Sequence, residues 1–122
     1  MSHKDWLHYC FTIARDLQPT GKARLAACIV KRNRLVSIGV NCKKSHPMAA
    51  KYGSHEHKIY LHAEVNAIKN ALRVLHNLQG CTLYVARAKY VNGYMTYGLA
   101  KPCIGCASCI VEFGVKDVIW SE

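Results

Sequence analysis

Apolar positions near the start of the chain recur at the spacing of a helix. From Ser2 to about Leu17 they follow i, i+3, i+4 and i+7 steps, which gives a helix one apolar face. Ser2 stands three residues before Asp5, a pairing typical of a helix N-terminal cap. The polar, proline-containing stretch Gln18–Gly21 should end this helix. The pattern therefore predicts an amphipathic helix that packs on the rest of the fold.

Two apolar runs of strand length follow this helix. They are Leu25–Val30 and Leu35–Val40, and the short polar turn between them predicts an antiparallel hairpin. Residues 41–58 are polar and irregular, with Pro47 and Gly53 as breakers. This stretch predicts a long loop, and long loops in compact domains often carry function.

The second half of the chain alternates between helical and strand patterns. The predicted elements are a helix from Tyr60 or Leu61 to Leu75, a strand over Thr82–Ala86, a helix from Pro102 to Phe113 that ends at Gly114, and a strand over Val115–Trp120. The Asn92-Gly93 pair within residues 87–101 predicts a protruding β-hairpin.

The order α-β-β-α-β-α-β predicts a layered α/β domain. Because β-α-β crossovers are right-handed and join parallel strands, the later strands should be parallel. We therefore expect a three-layer α/β/α fold whose mixed sheet begins with an antiparallel hairpin. With 122 residues, of which 51% are hydrophobic, residues 1–122 should form a single domain with a real core.

Composition and charge indicate the cell compartment and the class of partner to expect for this domain. No apolar run reaches the roughly 18 residues of a membrane span, and no secretion signal follows the N-terminus. The seven cysteines do not form a disulfide framework, so we expect a cytoplasmic protein whose thiols are reduced or bind metal. The net charge of +10 favours a phosphate-bearing partner, although a merely basic, solvated surface would give the same count.

Chemistry-bearing residues cluster at two predicted helix starts. One start reads His62-Ala63-Glu64 and the other reads Pro102-Cys103-Ile104-Gly105-Cys106. Cys103 and Cys106, three residues apart, can point the same way, and a helix N-terminus favours thiolates. Two thiolates and one imidazole are ligands that Zn²⁺ takes, and three protein ligands leave a fourth position for water. Each motif alone is weak, since Cys-x-x-Cys also occurs in redox pairs and zinc ribbons.

Together the two motifs resemble the signature of the zinc-dependent cytidine deaminase superfamily, His-x-Glu followed by Pro-Cys-x-x-Cys. Gly39-Val40-Asn41 resembles the Gly-x-Asn of that superfamily, and His62-Ala-Glu-Val-Asn-Ala67 resembles the form found in its deoxycytidylate (dCMP) deaminases. The resemblance implies the cytidine deaminase-like fold and one zinc ion held by His62, Cys103 and Cys106. It also implies three further roles: Glu64 would move protons without binding zinc, Asn41 would contact the nucleotide sugar, and the Ala63 N–H would face the pyrimidine carbonyl.

The function implied is hydrolytic deamination of a cytosine nucleotide, most simply dCMP to dUMP and ammonia. A homo-oligomer is expected by the same resemblance, in the cytoplasm of a bacterium or of a phage-infected host, with no membrane partner. A deaminase that acts on single-stranded DNA or RNA stays open as an alternative, in which Tyr90, Tyr94 and Tyr97 would stack bases. A non-catalytic zinc module is the third interpretation, and the presence of Glu64 argues against it.

Other polar residues carry weaker hypotheses. Lys43, Lys44, Ser45 and His46 form a loop segment that could cradle a phosphate or simply be solvated. Residues His46, His55 and His57 are interpreted as solvated histidines rather than a second metal site. Cys109 follows Cys106 by one helical turn and is interpreted as a buried thiol, because a fourth sulfur would displace the water from a catalytic site.

Overall fold

The computed structural model describes residues 1–17, 24–41 and 62–122. In chain order these form α1 (His3–Arg15), β1 (Arg24–Lys31), β2 (Arg34–Val40), α2 (Ala63–Ala71), β3 (Cys81–Val91), β4 (Tyr94–Gly98), α3 (Ile104–Glu112) and β5 (Asp117–Trp120). Several predicted features lie outside the described residues: the helix stop at 18–21 and the loop hypotheses on Lys43, Lys44, Ser45, His46, His55 and His57. The second helix is shorter than predicted, because His62 is its extended N-cap and Leu72 its C-cap.

The five strands of the described chain form one mixed sheet. Its order is β2-β1-β3-β4, and β5 pairs with β3. The pairs β1–β2, β1–β3 and β3–β4 are antiparallel, whereas β5 runs parallel to β3. Two strands thus pair with the same edge of β3: β5 with residues 82–85 and β4 with residues 87–91. The predicted mixed sheet is confirmed.

Helices cover both faces of this sheet, as the predicted three-layer architecture requires. On one face, α1 buries its apolar side against β1 and β3 in a cluster that includes Trp6, Cys10, Phe11, Cys28 and Tyr84. On the other face, α2 and α3 pack against the sheet in a second cluster that includes Ile29, Ile68, Val85, Cys106 and Ile110. The N-terminal cap predicted at Ser2 is present as a capping box with Asp5. No helix within the described ranges is long and apolar enough to cross a membrane.

Two tight turns connect the antiparallel strands, at the two places where the sequence predicts hairpins. Arg32 and Asn33 join β1 to β2 with φ of 52° and 59°, and Asn92 and Gly93 join β3 to β4 with φ of 51° and 83°. Positive φ at both central residues matches the right-handed twist of the strands that the turn connects. The predicted strand over Thr82–Ala86 was too short, because the hairpin is not a separate excursion. It is the continuation of β3, which runs unbroken to Val91.

The start of α3 also differs from the prediction. Pro102 does not open the helix, because Cys103 is its N-cap, with extended φ and ψ of −71° and 171°, and Ile104 is its first residue. The Cys103 Sγ accepts the N–H of Cys106, so the thiol provides the cap that a serine would usually provide. The predicted stop is correct, since Gly114 follows the helix with φ of 77°.

Candidate metal centre and active site

Two helix N-termini bring a nitrogen and two sulfur atoms together. His62 is the N-cap of α2, while Cys103 and Cys106 stand at the N-cap and in the first turn of α3. The His62 Nδ1 lies 3.2 Å from the Cys106 Sγ and 3.6 Å from the Cys103 Sγ. Ligand atoms of these three residues all lie within 4.8 Å of one another. Such a donor set fits a single zinc ion with one further coordination position.

A glycine in β2 fixes where α2 begins. A Cβ at Gly39 would lie 2.2 Å from the Ala67 backbone N and 2.5 Å from the Ala63 carbonyl O, so no larger residue lets the helix approach this closely. Ser37, also on β2, donates its hydroxyl to the Ala67 carbonyl at 2.7 Å. This close packing holds the first turn of α2, and with it His62, against the sheet.

Two asparagines on α2 complete the attachment, and the sequence patterns did not identify them. Asn66 and Asn70 donate their side-chain amides to the carbonyls of Val40 and Ile38, at 3.0 and 2.8 Å. Their spacing of four residues could have identified them in the sequence, because it places two polar side chains on one side of an otherwise apolar helix.

Hydrogen bonds between the donor groups set their protonation. The pKa of Cys103 is lowered to about 3, because the Cys106 thiol and then the His62 imidazole donate to its thiolate. The pKa of Cys106 is raised for the complementary reason, since its proton is held by Cys103, and burial adds to the shift. The same contact with Cys103 raises the pKa of His62. A metal ion would take the place of these shared protons.

Glu64 lies in the first turn of α2 and is 5% exposed. Burial raises the pKa of this carboxyl, and its own backbone N–H and the neighbouring His62 only partly oppose that shift. A buried carboxyl next to a metal site can therefore hold a proton more readily than an exposed carboxyl does.

The two predicted substrate-binding residues occupy defined places beside this centre. Asn41 follows β2, donates its backbone N–H to the Leu25 carbonyl at 3.2 Å and accepts the Leu25 N–H on its Oδ1 at 2.9 Å. That side-chain oxygen thus extends the strand pairing, as a turn residue at a strand end would. Ala63 is fully buried as the first residue of α2, where backbone N–H groups have no partner within the helix.

The remaining cysteines of the described chain are core residues. Cys109 is fully buried in the cluster under α2 and α3, as the buried-thiol interpretation predicted. Cys10, Cys28 and Cys81 are buried as well, and none of the three is in a disulfide.

The three hairpin tyrosines do not share one surface. Tyr97 stacks on Phe11 with ring centroids 4.3 Å apart. Tyr90 and Tyr94 are exposed, but they pair with Met95 and Val91 in successive register positions and so fall on opposite faces of the hairpin. The described hairpin therefore offers no continuous stacking platform for bases.

Comparison with known proteins identifies the relatives of this chain. Residues 1–122 match the family model for the cytidine and deoxycytidylate deaminase zinc-binding region. The chain is 29% identical over 131 residues to mouse deoxycytidylate deaminase, covering 95% of this chain and 64% of that protein. It is 32% identical over 103 residues to an uncharacterized deaminase in the luxG 3′ region of Aliivibrio fischeri, covering 81% of this chain and 58% of that protein. The chain thus spans less than two thirds of the length of these relatives.

Solved structures share the fold. The dCMP deaminase from cyanophage S-TIM5 in apo form matches with a TM-score of 0.69 and 20% identity, covering 97% of this chain and 80% of that one. Guanine deaminase from Bacillus subtilis matches with a TM-score of 0.65 and 24% identity, covering 98% of this chain and 64% of that one. The cytidine deaminase-like architecture is therefore confirmed.

Proposed function

The chain belongs to the cytidine and deoxycytidylate deaminase family, and from this premise we propose that it hydrolyses dCMP to dUMP and ammonia. The observation that carries the proposal is the adjacency of two features at the helix starts. One is the set of three metal donors, and the other is a buried carboxyl, Glu64, in the same turn as His62. A structural zinc site needs no such carboxyl.

His62, Cys103 and Cys106 would hold the zinc ion, which when bound lowers the pKa of a water ligand towards ~7. Glu64 would move two protons in turn, both drawn from the water that the reaction consumes: one to ring N3 and one to the leaving amino group. Its raised pKa suits this exchange, because a carboxyl with the ordinary pKa would be almost wholly deprotonated at neutral pH and would seldom hold a proton to give. The Ala63 N–H would donate to the pyrimidine carbonyl, and Asn41 would contact the sugar.

The relatives support a free nucleotide as the substrate. Mouse and human deoxycytidylate deaminases are each 29% identical to this chain. The cyanophage enzyme, which has also been solved in complex with dCMP and dUMP, matches this fold with a TM-score of 0.65. Neighbours of similar score include a guanine deaminase and a tRNA A34 deaminase, so the choice of dCMP needs a direct test.

The alternative substrate is a cytosine or adenine in single-stranded DNA or RNA. The net charge of +10 favours this alternative, since polynucleotide binding draws on many cations. The separated hairpin tyrosines give it no further support.

Ammonia release by the zinc-loaded protein tests both substrates in one experiment. We would compare dCMP, CMP, deoxycytidine and a cytosine-containing single-stranded oligonucleotide for the wild type and for Glu64→Gln. The expected result is turnover of dCMP that falls about 10²- to 10⁴-fold in Glu64→Gln while the zinc content is unchanged. Turnover of the oligonucleotide alone would overturn the dCMP proposal, and bound zinc without any turnover would favour a non-catalytic zinc module.

Self-association is also part of this proposal. Large apolar side chains stand exposed on and next to the helices of the metal face, including Ile104 (88% exposed), Val111 (79%) and Val74 (70%). Ile104 and Val111 are seven residues apart on α3 and so lie on one side of that helix, where a partner could cover them together. Light scattering of the purified protein should give the mass of a homo-oligomer, and a monomer mass would contradict this expectation.

A further inference from the structure

Arg87 lies in the same row of the sheet as Asn41, the predicted sugar contact, a row being the residues that stand opposite one another on neighbouring strands. Arg87 on β3 stands opposite Leu25 on β1 and opposite Gly98 on β4. Leu25 in turn pairs with Asn41 through backbone and side-chain hydrogen bonds. The row therefore reads Asn41, Leu25, Arg87, Gly98, and it places Arg87 about 10 Å from Asn41 across the sheet.

This row lies at the end of the sheet where the metal donors meet. The neighbouring row on the same face contains Gly39, Ala27 and Val85, and the first turn of α2 rests on Gly39. Val85 belongs to the core cluster under α2 and α3, so Arg87, two residues further along β3, lies on that same face. Arg87 is thus one row beyond the first turn of α2.

A serine near the end of the chain links Arg87 to the segment that leads into Cys103. The Arg87 backbone N–H donates to the Ser121 hydroxyl oxygen at 3.0 Å, and that hydroxyl donates to the Gly98 carbonyl at 2.6 Å. The Ala100 N–H donates to the Ser121 carbonyl at 2.9 Å. These bonds fix β3, β4 and the residues before Cys103 relative to one another.

The Arg87 side chain carries a buried donor without an acceptor. Its Nε is buried and has no hydrogen-bond partner among residues 1–17, 24–41 and 62–122. The side chain lies across Gly98, where an added Cβ would come within 2.9 Å of the Arg87 Cδ. The Nε itself is closed to a ligand, but Arg87 as a whole is only half-buried, so the terminal N–H groups of its always-charged guanidinium are the donors that a ligand could meet.

We propose that Arg87 binds the 5′-phosphate of the nucleotide substrate and so determines specificity for monophosphates over nucleosides. The inference rests on the proposed deaminase function and adds a residue to it. Phosphate is the ligand that best fits, because the planar guanidinium fork pairs with its oxygens through charge-assisted hydrogen bonds. With the base at the metal centre and the sugar at Asn41, the row that Asn41 shares with Arg87 offers the phosphate a cation.

Matched substrates test this assignment. We would measure kcat/KM for dCMP and for deoxycytidine in the wild type, Arg87→Gln, Arg87→Lys and Arg34→Gln. Arg34 is the control, because it is an exposed arginine at the opposite end of the sheet, next to the β1–β2 turn. Arg87→Gln should lower kcat/KM for dCMP about 10- to 100-fold, mainly through KM, and change deoxycytidine less than about twofold. Arg87→Lys should recover part of the loss, and Arg34→Gln should change neither substrate.

An equal loss of kcat/KM for dCMP and deoxycytidine in Arg87→Gln would overturn the proposal in favour of a structural role. An Arg87→Gln protein that keeps the wild-type preference for dCMP would overturn it outright. Titration calorimetry with dUMP and deoxyuridine provides a second readout that does not depend on turnover. Tighter binding of dUMP, lost in Arg87→Gln, supports the assignment even if no ammonia is released, and such a result would contradict only the proposed reaction. A wild-type protein that binds both compounds equally would contradict the Arg87 assignment itself.

Discussion

Two pairs of cysteines in this protein have closely spaced sulfurs and opposite chemistry. Cys103 and Cys106 meet at the N-terminus of α3 beside His62. Cys10 and Cys28 meet between α1 and β1, with their sulfurs 3.1 Å apart and both side chains fully buried. The pKa of Cys103 is lowered to about 3, whereas that of Cys10 is raised by its hydrogen bond with Cys28 and by burial.

The difference lies in the surroundings of the sulfurs rather than in their spacing. The α3 pair has an imidazole within 3.6 Å, a backbone N–H donating to the Cys103 Sγ, and an exposed side chain in Cys103 itself. The core pair is enclosed by apolar side chains, and the Cys10 thiol points to the Tyr84 carbonyl. A metal site therefore requires a third donor and a means to stabilise thiolate, and proximity of two thiols supplies neither.

The largest expected effect is that of removing one sulfur from the α3 pair. Cys103→Ala leaves two donor atoms, too few for tight zinc binding, so both the bound zinc and the ammonia release should be lost. Metal analysis by mass spectrometry and the dCMP assay measure the two losses. Cys109→Ala, in the same helix, should keep its zinc, and a Cys109→Ala protein without zinc would mean that the donor set has been assigned wrongly.

The second effect is a contrast in thiol reactivity in the zinc-free protein. Because the pKa of Cys103 is lowered to about 3, its thiolate persists at every pH above that value. The rate at which iodoacetamide alkylates Cys103 should thus be nearly independent of pH between about 5 and 8. The rate for an ordinary thiol rises roughly tenfold with each pH unit in this range. Cys10 and Cys28 should stay unmodified in the folded protein. Peptide mapping gives each rate, and a tenfold rise per pH unit at Cys103 would contradict its thiolate character.

The third effect concerns the imidazole that distinguishes the two pairs. Gly39→Ala would push α2 away from β2, because the new Cβ would lie 2.2 Å from the Ala67 backbone N. We expect the free energy of unfolding to fall by about 1–3 kcal/mol, and zinc affinity to fall as His62 moves away from the sulfurs. Urea denaturation and competition with a chelator measure the two changes.

Gly93→Ala is the control for that substitution. Gly93 stands at the open tip of the β3–β4 hairpin, with nothing within 4 Å of an added Cβ and a φ of +83°. Gly93→Ala should lower the free energy of unfolding by about 1 kcal/mol through backbone strain and leave zinc affinity unchanged. Equal losses of zinc affinity in both variants would show that His62 is not positioned by Gly39.

Local sequence patterns were sufficient for much of the fold. The helical and strand periods, the Asn92-Gly93 turn and the Ser2 cap are determined by neighbouring residues, and all are present in the structure. Local patterns also identified two helix starts with metal-binding side chains, but these lie far apart in the chain and each motif is weak alone. The prediction that His62, Cys103 and Cys106 form one site came from their joint resemblance to the deaminase signature.

The features that could not be predicted depend on residues far apart in the chain. The hydroxyl of Ser121 connects β3 to β4, and the Asn41 side-chain oxygen accepts the N–H of Leu25 on β1. The row that joins Asn41 to Arg87 exists only once β1 separates β2 from β3. No pattern in a short stretch of sequence determines which residues of different strands stand opposite one another. The position of Arg87 in the same row as Asn41 could therefore not be predicted.

The smallest expected effect comes from the core pair. Cys28→Ala removes a buried sulfur that contacts Cys10 and leaves a small cavity between α1 and β1. We expect a loss of about 1 kcal/mol in the free energy of unfolding, with zinc content and dCMP turnover unchanged, because α1 packs on the face of the sheet opposite the metal donors. Urea denaturation, metal analysis and the ammonia assay on one preparation measure all three. A Cys28→Ala protein that folds but loses zinc would show that the sheet couples its two faces, and the two cysteine pairs would then have to be treated as one system.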